Sequence, residues 1–176
     1  MDEKLSYLIK IVLTGEFGVG KTSFMKNVIS RHFPPNQLVV DFANKTVRVN
    51  GKLVKAQIWD TGSFEKFKAF TNPYYHGANA VMLFYDITDL NSFNSLTRWL
   101  DNIHKNTKPN AVIMLVGNKC DLPEAKRQIS TERGENFAKQ HNLLFYEISV
   151  RNYTNVDEAL MKLIEKTVSK LEEKEM

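Results

Sequence analysis

Cysteine is almost absent from this chain of 176 residues, which contains only Cys120. A single thiol excludes an internal disulfide and suits a reducing compartment. Long apolar runs are absent as well, since none approaches the ~18 residues that a membrane-spanning helix needs, and Met1 to Lys4 lead into no signal-peptide core. The sequence has no internal repeat and no low-complexity linker. These absences predict a cytoplasmic protein that forms one domain over residues 1–176.

Charge of one sign is not concentrated in any part of the chain. The formal net charge is +4 and the lysines are spread over the whole sequence, so a basic groove for nucleic acid is not predicted. The four histidines show no spacing typical of metal ligands. Hydrophobic residues make up 43% and charged residues 25%, which is ordinary for a globular domain. A chain of this length can bury about 70% of its unfolded surface.

Glycine occurs only eight times, but three of the eight lie in one segment, Gly15 to Thr22, which fits the phosphate-binding pattern G-x-x-x-x-G-K-[ST]. Apolar residues predict a buried strand before this loop and an amphipathic helix after it. In that setting backbone N–H groups and a helix N-terminus point at one anion, whereas the alternative is a chance glycine-rich turn. The lysine would bring a positive charge to the terminal phosphates, and the threonine hydroxyl would bind Mg²⁺. The predicted phosphate-binding residues are Gly15, Phe17, Gly18, Val19, Gly20, Lys21, Thr22 and Ser23.

The remaining apolar segments alternate between strand-like and helix-like patterns. The Asn50-Gly51 dipeptide lies between two strand-like runs and predicts an antiparallel hairpin. The alternation as a whole predicts an α/β fold with a mostly parallel sheet and right-handed crossovers. The strand-like runs after the phosphate-binding loop cover 38–49, 53–59, 80–86, 111–116 and 143–149.

Polar residues follow several of these predicted strands. In an open α/β sheet, ligands bind beyond the carboxyl ends of the strands, so the phosphate-binding loop, Asp60, the segment Asn118 to Asp121 and Ser149 should meet in one crevice. We predict that Asp60 holds Mg²⁺ together with Thr22, directly or through water. The alternative role of Asp60 is to cap a helix or a turn.

The segment Asn118-Lys119-Cys120-Asp121 has the form N-K-x-D, which is weak as a four-residue pattern but strong after a buried strand and downstream of a phosphate-binding loop, and its chemistry suits guanine. A carboxylate can accept two N–H donors from the Watson–Crick edge of guanine, whereas adenine has no such donor pair. The aliphatic part of the lysine can lie against the purine face, and a backbone N–H after the last strand can complete the pocket. The residues predicted to bind the base are Asn118, Lys119, Asp121, Leu122, Ser149, Val150 and Arg151.

With these motifs, the chain resembles a small GTPase of the Ras superfamily, and a Rab-like one, from end to end. Further residues that carry the resemblance are Trp59-Asp60-Thr61, Tyr85-Asp86-Ile87-Thr88 and Glu147-Ile148-Ser149. The resemblance implies a G domain with a six-stranded sheet and five helices, GDP or GTP with Mg²⁺, and two switch segments. It also implies an effector surface at Phe42, Trp59 and Tyr74, although these three residues could equally be ordinary core or strand aromatics.

The resemblance breaks down at the residues that would hydrolyse GTP. Phe64 stands where the family has the glutamine that orients the attacking water, and a phenyl ring neither donates nor accepts a hydrogen bond. Ser63 stands at the position of a family glycine. No catalytic residue is therefore predicted to be intact, apart from Lys21 as a stabiliser of phosphate charge.

Other departures fall on the segments that would contact the third phosphate. The family's switch I threonine aligns near Gln37 or Leu38, and no Ser, Thr or Tyr lies between Arg31 and Lys45. Phe17 is expected to crowd the γ-phosphate and an arginine finger from an activating protein. Val150 stands beside the base in place of an alanine and adds branched bulk.

Two functional hypotheses follow, and a third is weaker. The first is a Rab-like protein that binds guanine nucleotides, hydrolyses GTP weakly or not at all, and acts through protein partners in signalling or vesicle traffic. The second is a pseudo-GTPase scaffold that keeps the fold without nucleotide cycling. The third is a P-loop nucleoside kinase, against which the N-K-x-D segment argues. Because no cysteine lies near Met176, we expect no prenyl anchor in this chain and a cytoplasmic protein that reaches membranes only through another segment or a partner.

Overall fold

The computed structural model describes residues 3–29, 42–61 and 74–176. Within them, six strands form one sheet in the order β2-β3-β1-β4-β5-β6. All neighbouring pairs are parallel except β2 and β3. The predicted mostly parallel sheet with one antiparallel strand is therefore confirmed. The strands are β1 (Tyr7–Gly15), β2 (Phe42–Val49), β3 (Lys52–Asp60), β4 (Ala80–Asp86), β5 (Val112–Asn118) and β6 (Leu144–Glu147).

The antiparallel pair is the hairpin that the Asn-Gly dipeptide predicts. Asn50 and Gly51 both have positive φ, 49° and 77°, as a type I′ turn requires, and such a turn matches the twist of the strands it joins. Val49 pairs with Lys52 next to the turn, and Phe42 pairs with Trp59 at the other end of the hairpin. The part of the predicted strand that precedes Phe42 lies outside the described residues.

Helices pack on both faces of the sheet, and two of them begin at a residue whose side chain caps the helix. Asp89 caps α2, since its side chain accepts a hydrogen bond from Asn91 N at 3.0 Å. Ser130 caps α4 in the same way, at 3.1 Å from Arg133 N. The described helices are α1 (Lys21–Ile29), α2 (Leu90–Asn94), α3 (Leu96–Asn106), α4 (Thr131–Gln140) and α5 (Val156–Glu175).

Two hydrophobic layers cover the sheet. One contains Ile9 and Ile11 of β1 with Phe24 of α1 and Leu163 of α5. The other contains alternate residues of the same strands with the apolar faces of α2, α3 and α4. Every residue of β4 and β5 is buried, as expected for parallel strands with helices on both sides.

The strand order places the carboxyl end of β1 at the centre of the sheet. In the sheet β1 lies between β3 and β4, with β2 and β3 on one side and β4, β5 and β6 on the other, so the loop after β1 lies at the point where the strand order reverses. Crevices at such a point bind ligands in open α/β sheets. Within the described part of the chain, no helix has both the length and the hydrophobicity needed to cross a membrane.

Candidate nucleotide site

The phosphate-binding loop packs so closely against its neighbours that two of its positions exclude any side chain. Gly15 has φ 134°, and a Cβ there would lie 2.4 Å from the backbone oxygen of Phe84 on β4. Gly20 has φ 103°, and a Cβ there would lie 2.2 Å from Asn118 Nδ2. Both positions therefore need glycine for space as well as for backbone conformation.

Lys21, the first residue of α1, is buried beneath this loop, with 5% of its surface exposed. Its Nζ donates hydrogen bonds to Gly15 O at 2.8 Å and to Glu16 O at 2.7 Å. The two carbonyl groups hold the ammonium group at the end of β1, where the loop begins. A fixed, poorly hydrated cation in this place is suited to a phosphate oxygen.

Thr22 follows this lysine in the chain, and its side chain meets that of Asp60. The Thr22 hydroxyl donates a hydrogen bond to Asp60 Oδ2, and Asp60 is buried at the carboxyl end of β3. A hydroxyl oxygen and a carboxylate oxygen at the same point are hard ligands of the kind that Mg²⁺ prefers, so these two residues fit the implied ion. No group of three or more His, Cys, Asp or Glu side chains that could hold a metal occurs in the described ranges. Phosphate and water oxygens would have to complete the magnesium shell, as is usual for this ion.

A cavity of about 420 Å³ opens on the other side of Gly20. Asn118 forms its floor and is 3% exposed. Its Nδ2 donates to Val19 O at 2.9 Å, and its Oδ1 accepts from Lys119 N at 2.7 Å and from Val150 N at 3.3 Å. One amide thereby ties the phosphate-binding loop to the segments after β5 and β6. The cavity is lined by Gly20, Ser23, Asn118, Lys119, Asp121, Leu122, Val150 and Arg151.

Asp121, the predicted guanine-binding carboxylate, lines this cavity and is oriented by Ser149. Ser149 is fully buried, and its Oγ donates to Asp121 Oδ1 at 2.8 Å. Its backbone N–H is used elsewhere, in a 3.0 Å hydrogen bond to Thr154 O. Val150 N–H is another of the backbone donors predicted to complete the pocket. Its hydrogen bond to Asn118 is longer than that of Ser149 N–H to Thr154, so Val150 N–H is the donor that a ligand would engage more easily.

Asp86 belongs to this site although no role was predicted for it. The Nζ of Lys119, a residue with φ 71°, lies 2.8 Å from Asp86 Oδ2. Asp86 Oδ1 also accepts hydrogen bonds from Thr88 N at 2.8 Å and from Thr88 Oγ1 at 2.6 Å. Burial disfavours the charged form, but the hydrogen bonds from Lys119 and Thr88 outweigh burial and lower the pKa of Asp86 below its usual value. One feature of the sequence could have indicated this role, because Asp86 is the polar residue that ends a buried strand. In the structure it pairs with Asn118 across β4 and β5.

Glu16 is a second residue that sequence reasoning missed. It lies inside the phosphate-binding loop, and its Oε1 accepts hydrogen bonds from Arg98 Nη2 at 2.7 Å and from Trp99 Nε1 at 3.1 Å. Both donors belong to α3, more than 80 positions away along the chain. Nothing local in the sequence indicates such a contact.

Phe17 is an exposed aromatic residue, whereas the three aromatic residues of the predicted effector surface contact one another. The Phe17 side chain is 72% exposed, so it lies at the outer rim of the loop. Phe42 stacks on Trp59 with ring centroids 4.9 Å apart, and Tyr74 meets Trp59 edge-on at 6.0 Å. Phe42 is 41% exposed, whereas Trp59 is half-buried against the core. The structure brings these three residues together, and their role as an effector surface stays a prediction.

Several residues of the hydrolysis argument lie outside the described part of the chain. They are Phe64 and Ser63, together with the switch I positions Gln37 and Leu38.

Comparison with known proteins is consistent with this geometry. The sequence model of the Ras family matches residues 10–169. Ras-related protein RABA3 of Arabidopsis thaliana is 41% identical over 174 residues, which span 97% of this chain and 73% of RABA3. Ras-related protein RABA1a of the same organism is 42% identical over 175 residues, which span 96% of this chain and 81% of RABA1a.

Proposed function

The chain belongs to the Ras family of small GTPases, and from that premise we propose that it is a Rab-like protein that binds GDP and GTP with Mg²⁺ and hydrolyses GTP weakly or not at all. It acts through protein partners in signalling or vesicle traffic. It is a cytoplasmic protein that reaches the cytosolic face of membranes through another segment or a partner.

The observation that carries nucleotide binding is the convergence of three separate segments on one edge of the sheet. Lys21 and Thr22 lie at the start of α1, Asp60 ends β3, and Asp121 follows β5 beside the cavity. A cation and backbone donors for phosphates, oxygen ligands for Mg²⁺, and a carboxylate for guanine are all present. Binding of the α- and β-phosphates and of the base requires no other groups.

Weak hydrolysis is supported by the sequence at positions 63 and 64. A water molecule attacking the γ-phosphate needs a hydrogen-bonding side chain to orient it, and Phe64 cannot supply one. We also expect the exposed ring of Phe17 to crowd the γ-phosphate and an arginine finger from an activating protein. Unaided Ras proteins turn over at about 3–5 × 10⁻⁴ s⁻¹, and we expect this protein to be no faster and not to be rescued by an activating protein.

The first experiment is to release the nucleotide from freshly purified protein with acid and identify it by chromatography. Stoichiometric GDP or GTP would support the proposal, and retained GTP would directly indicate binding without catalysis. A folded protein that stays empty after incubation with GDP and Mg²⁺ would contradict the proposal and favour the scaffold hypothesis.

Two sets of variants then test weak GTP hydrolysis and recognition of the guanine base separately. In a single-turnover assay, Phe64→Gln combined with Ser63→Gly should raise the rate of GTP hydrolysis, and an unchanged rate would exclude these positions as its cause. In a binding assay, Asp121→Asn should shift preference from guanine towards xanthine nucleotides. Unchanged GDP affinity in Asp121→Asn would mean that the base pocket is misassigned.

A further inference from the structure

The contact between Glu16 and α3 comes in addition to two other contacts that anchor the phosphate-binding loop. Gly15 is pressed against β4, and Val19 O accepts the hydrogen bond from Asn118. Glu16 adds a third anchor, made by the side chain of the second residue of the loop. That carboxylate accepts its hydrogen bonds from Arg98 and Trp99.

The two ends of Glu16 connect α3 to Lys21. The side-chain carboxylate accepts from Arg98 and Trp99, while the backbone carbonyl of the same residue accepts from Lys21 Nζ at 2.7 Å. Hydrogen bonds at both ends of Glu16 restrict the backbone angles that this residue can adopt, and with them the direction of its carbonyl group. The position of the Lys21 ammonium therefore depends on the α3 contact as well as on α1.

The indole contact matters more than the ion pair. The side chains of Arg98 and Glu16 are 57% and 34% exposed, and an exposed pair of this kind is screened by water and salt. Trp99 is only 6% exposed, so its N–H would be left without an acceptor if the carboxylate were removed. A buried donor that loses its partner carries the larger penalty.

We propose that Glu16 is a positioning residue for the β-phosphate of the bound nucleotide, acting through its carbonyl group on Lys21 and held in place by Trp99 and Arg98 of α3. This inference rests on the proposed nucleotide binding. By the same inference, a partner that binds the α3 surface around Arg98 and separates Arg98 from Glu16 would lower the affinity for the nucleotide.

The test compares GDP with GMP, which lacks the β-phosphate that the lysine of such a loop contacts. Affinities of the purified full chain for both nucleotides are measured by titration calorimetry in the presence of Mg²⁺. Glu16→Ala should weaken GDP binding about tenfold, which corresponds to ~1.4 kcal/mol, and should leave GMP binding within about twofold of the unaltered protein. Glu16→Gln keeps an oxygen acceptor for Trp99 and should lose no more than about threefold for GDP.

Further variants test whether the loss of GDP affinity depends on the contact between Glu16 and Trp99. Trp99→Phe should weaken GDP binding selectively, and adding it to Glu16→Ala should weaken GDP binding by much less than the product of the two separate effects. Thr97→Ala changes an exposed neighbour on α3 and should leave both affinities unchanged.

The outcomes separate this inference from the function on which it rests. If the unaltered protein binds GDP and Glu16→Ala weakens GDP and GMP equally, Glu16 only supports the fold and the inference is overturned. If Glu16→Ala changes neither affinity, it is overturned as well. If the unaltered protein binds no guanine nucleotide, the proposed function fails first, and the inference fails with it.

Discussion

Removal of the hydroxyl group of Tyr85 is predicted to stabilise the protein, whereas most substitutions destabilise. Tyr85 lies on β4, its side chain is fully buried, and within the described residues its hydroxyl has no hydrogen-bond partner. Burial, together with the charge of Glu147, raises the pKa of Tyr85, so the phenol stays protonated at neutral pH. Removing this hydroxyl by Tyr85→Phe should stabilise the protein, because a polar group without a partner is no longer buried.

Tyr75 offers a matched control in the same hydrophobic layer. Its side chain is also fully buried, but its hydroxyl lies 2.7 Å from Thr14 Oγ1 and shares a hydrogen bond with it. Tyr75→Phe removes a satisfied hydroxyl and leaves the Thr14 hydroxyl without that partner. The same chemical change should therefore have opposite effects on stability at the two positions.

The expected magnitudes follow from the cost of an unmade hydrogen bond. Leaving a buried polar group unsatisfied costs about 1–3 kcal/mol, so Tyr85→Phe should raise the free energy of unfolding by ~1–2 kcal/mol after allowance for the small space that the lost oxygen leaves. Tyr75→Phe should lower the free energy of unfolding by about 1–3 kcal/mol. For a chain of this size, 1 kcal/mol corresponds to a shift of about 2–4 °C in Tm.

Urea unfolding followed by tryptophan fluorescence and circular dichroism measures both variants at the same nucleotide concentration, since bound ligand would change the apparent stability. The refuting result is a Tyr85→Phe protein that is destabilised as much as Tyr75→Phe. The Tyr85 hydroxyl would then have a partner, such as a trapped water molecule, and the assignment of an unsatisfied group would be wrong.

Three further predictions concern two close contacts of glycine residues and one ion pair. Gly134→Ala places a Cβ 2.4 Å from the Tyr85 hydroxyl and should lower Tm, and part of that loss should return in the double variant with Tyr85→Phe. Gly20→Ala directs a Cβ at Asn118 Nδ2 and should abolish stable GDP binding while circular dichroism still reports a folded protein; full GDP affinity would contradict the close packing of the loop. Asp86→Asn removes the partner of Lys119 and should weaken GDP binding. Because the pKa of Asp86 is lowered on folding, its stabilising contribution is present above about pH 4 and is lost as the pH falls through the lowered pKa, so unfolding free energies below pH 4 should fall less steeply in Asp86→Asn.

The sequence predicts those parts of the fold that depend on neighbouring residues. The run 80–86 is apolar except for its last residue, Asp86, and coincides with β4, because a strand covered on both faces needs no alternation. Asn50-Gly51 forms the turn, since both residues tolerate positive φ. The apolar residues from Phe93 to Ile103 have the spacing of one continuous helix, whereas α2 ends at Asn94 and α3 begins at Leu96. Periodicity of apolar residues does not detect such a break, because the buried face continues through it.

The sequence predicts the candidate site only where a single segment carries the chemistry. The phosphate-binding loop and the N-K-x-D segment each contain their own signal. The contacts of Glu16 with α3, of Lys119 with Asp86, and of Asp121 with Ser149 join residues that are 28 or more positions apart or lie on different elements. Such pairs depend on the register of parallel strands and on how helices cross them, and composition or spacing does not specify either.

The distribution of these contacts bears on whether the protein can act as a switch. A nucleotide changes a conformational equilibrium only by the difference between its affinities for the two states. The described contacts that would favour binding involve the loop, the candidate Mg²⁺ ligands and the proposed base pocket, which GDP and GTP would use alike, whereas the departures from the family at positions 17, 63 and 64 fall where we expect contacts with the third phosphate. Fewer groups that distinguish GTP from GDP mean a smaller affinity difference, and a difference of less than about 1.4 kcal/mol changes the populations by less than tenfold. A partner that binds this protein should then respond weakly to the identity of the nucleotide and strongly to whether any nucleotide is bound.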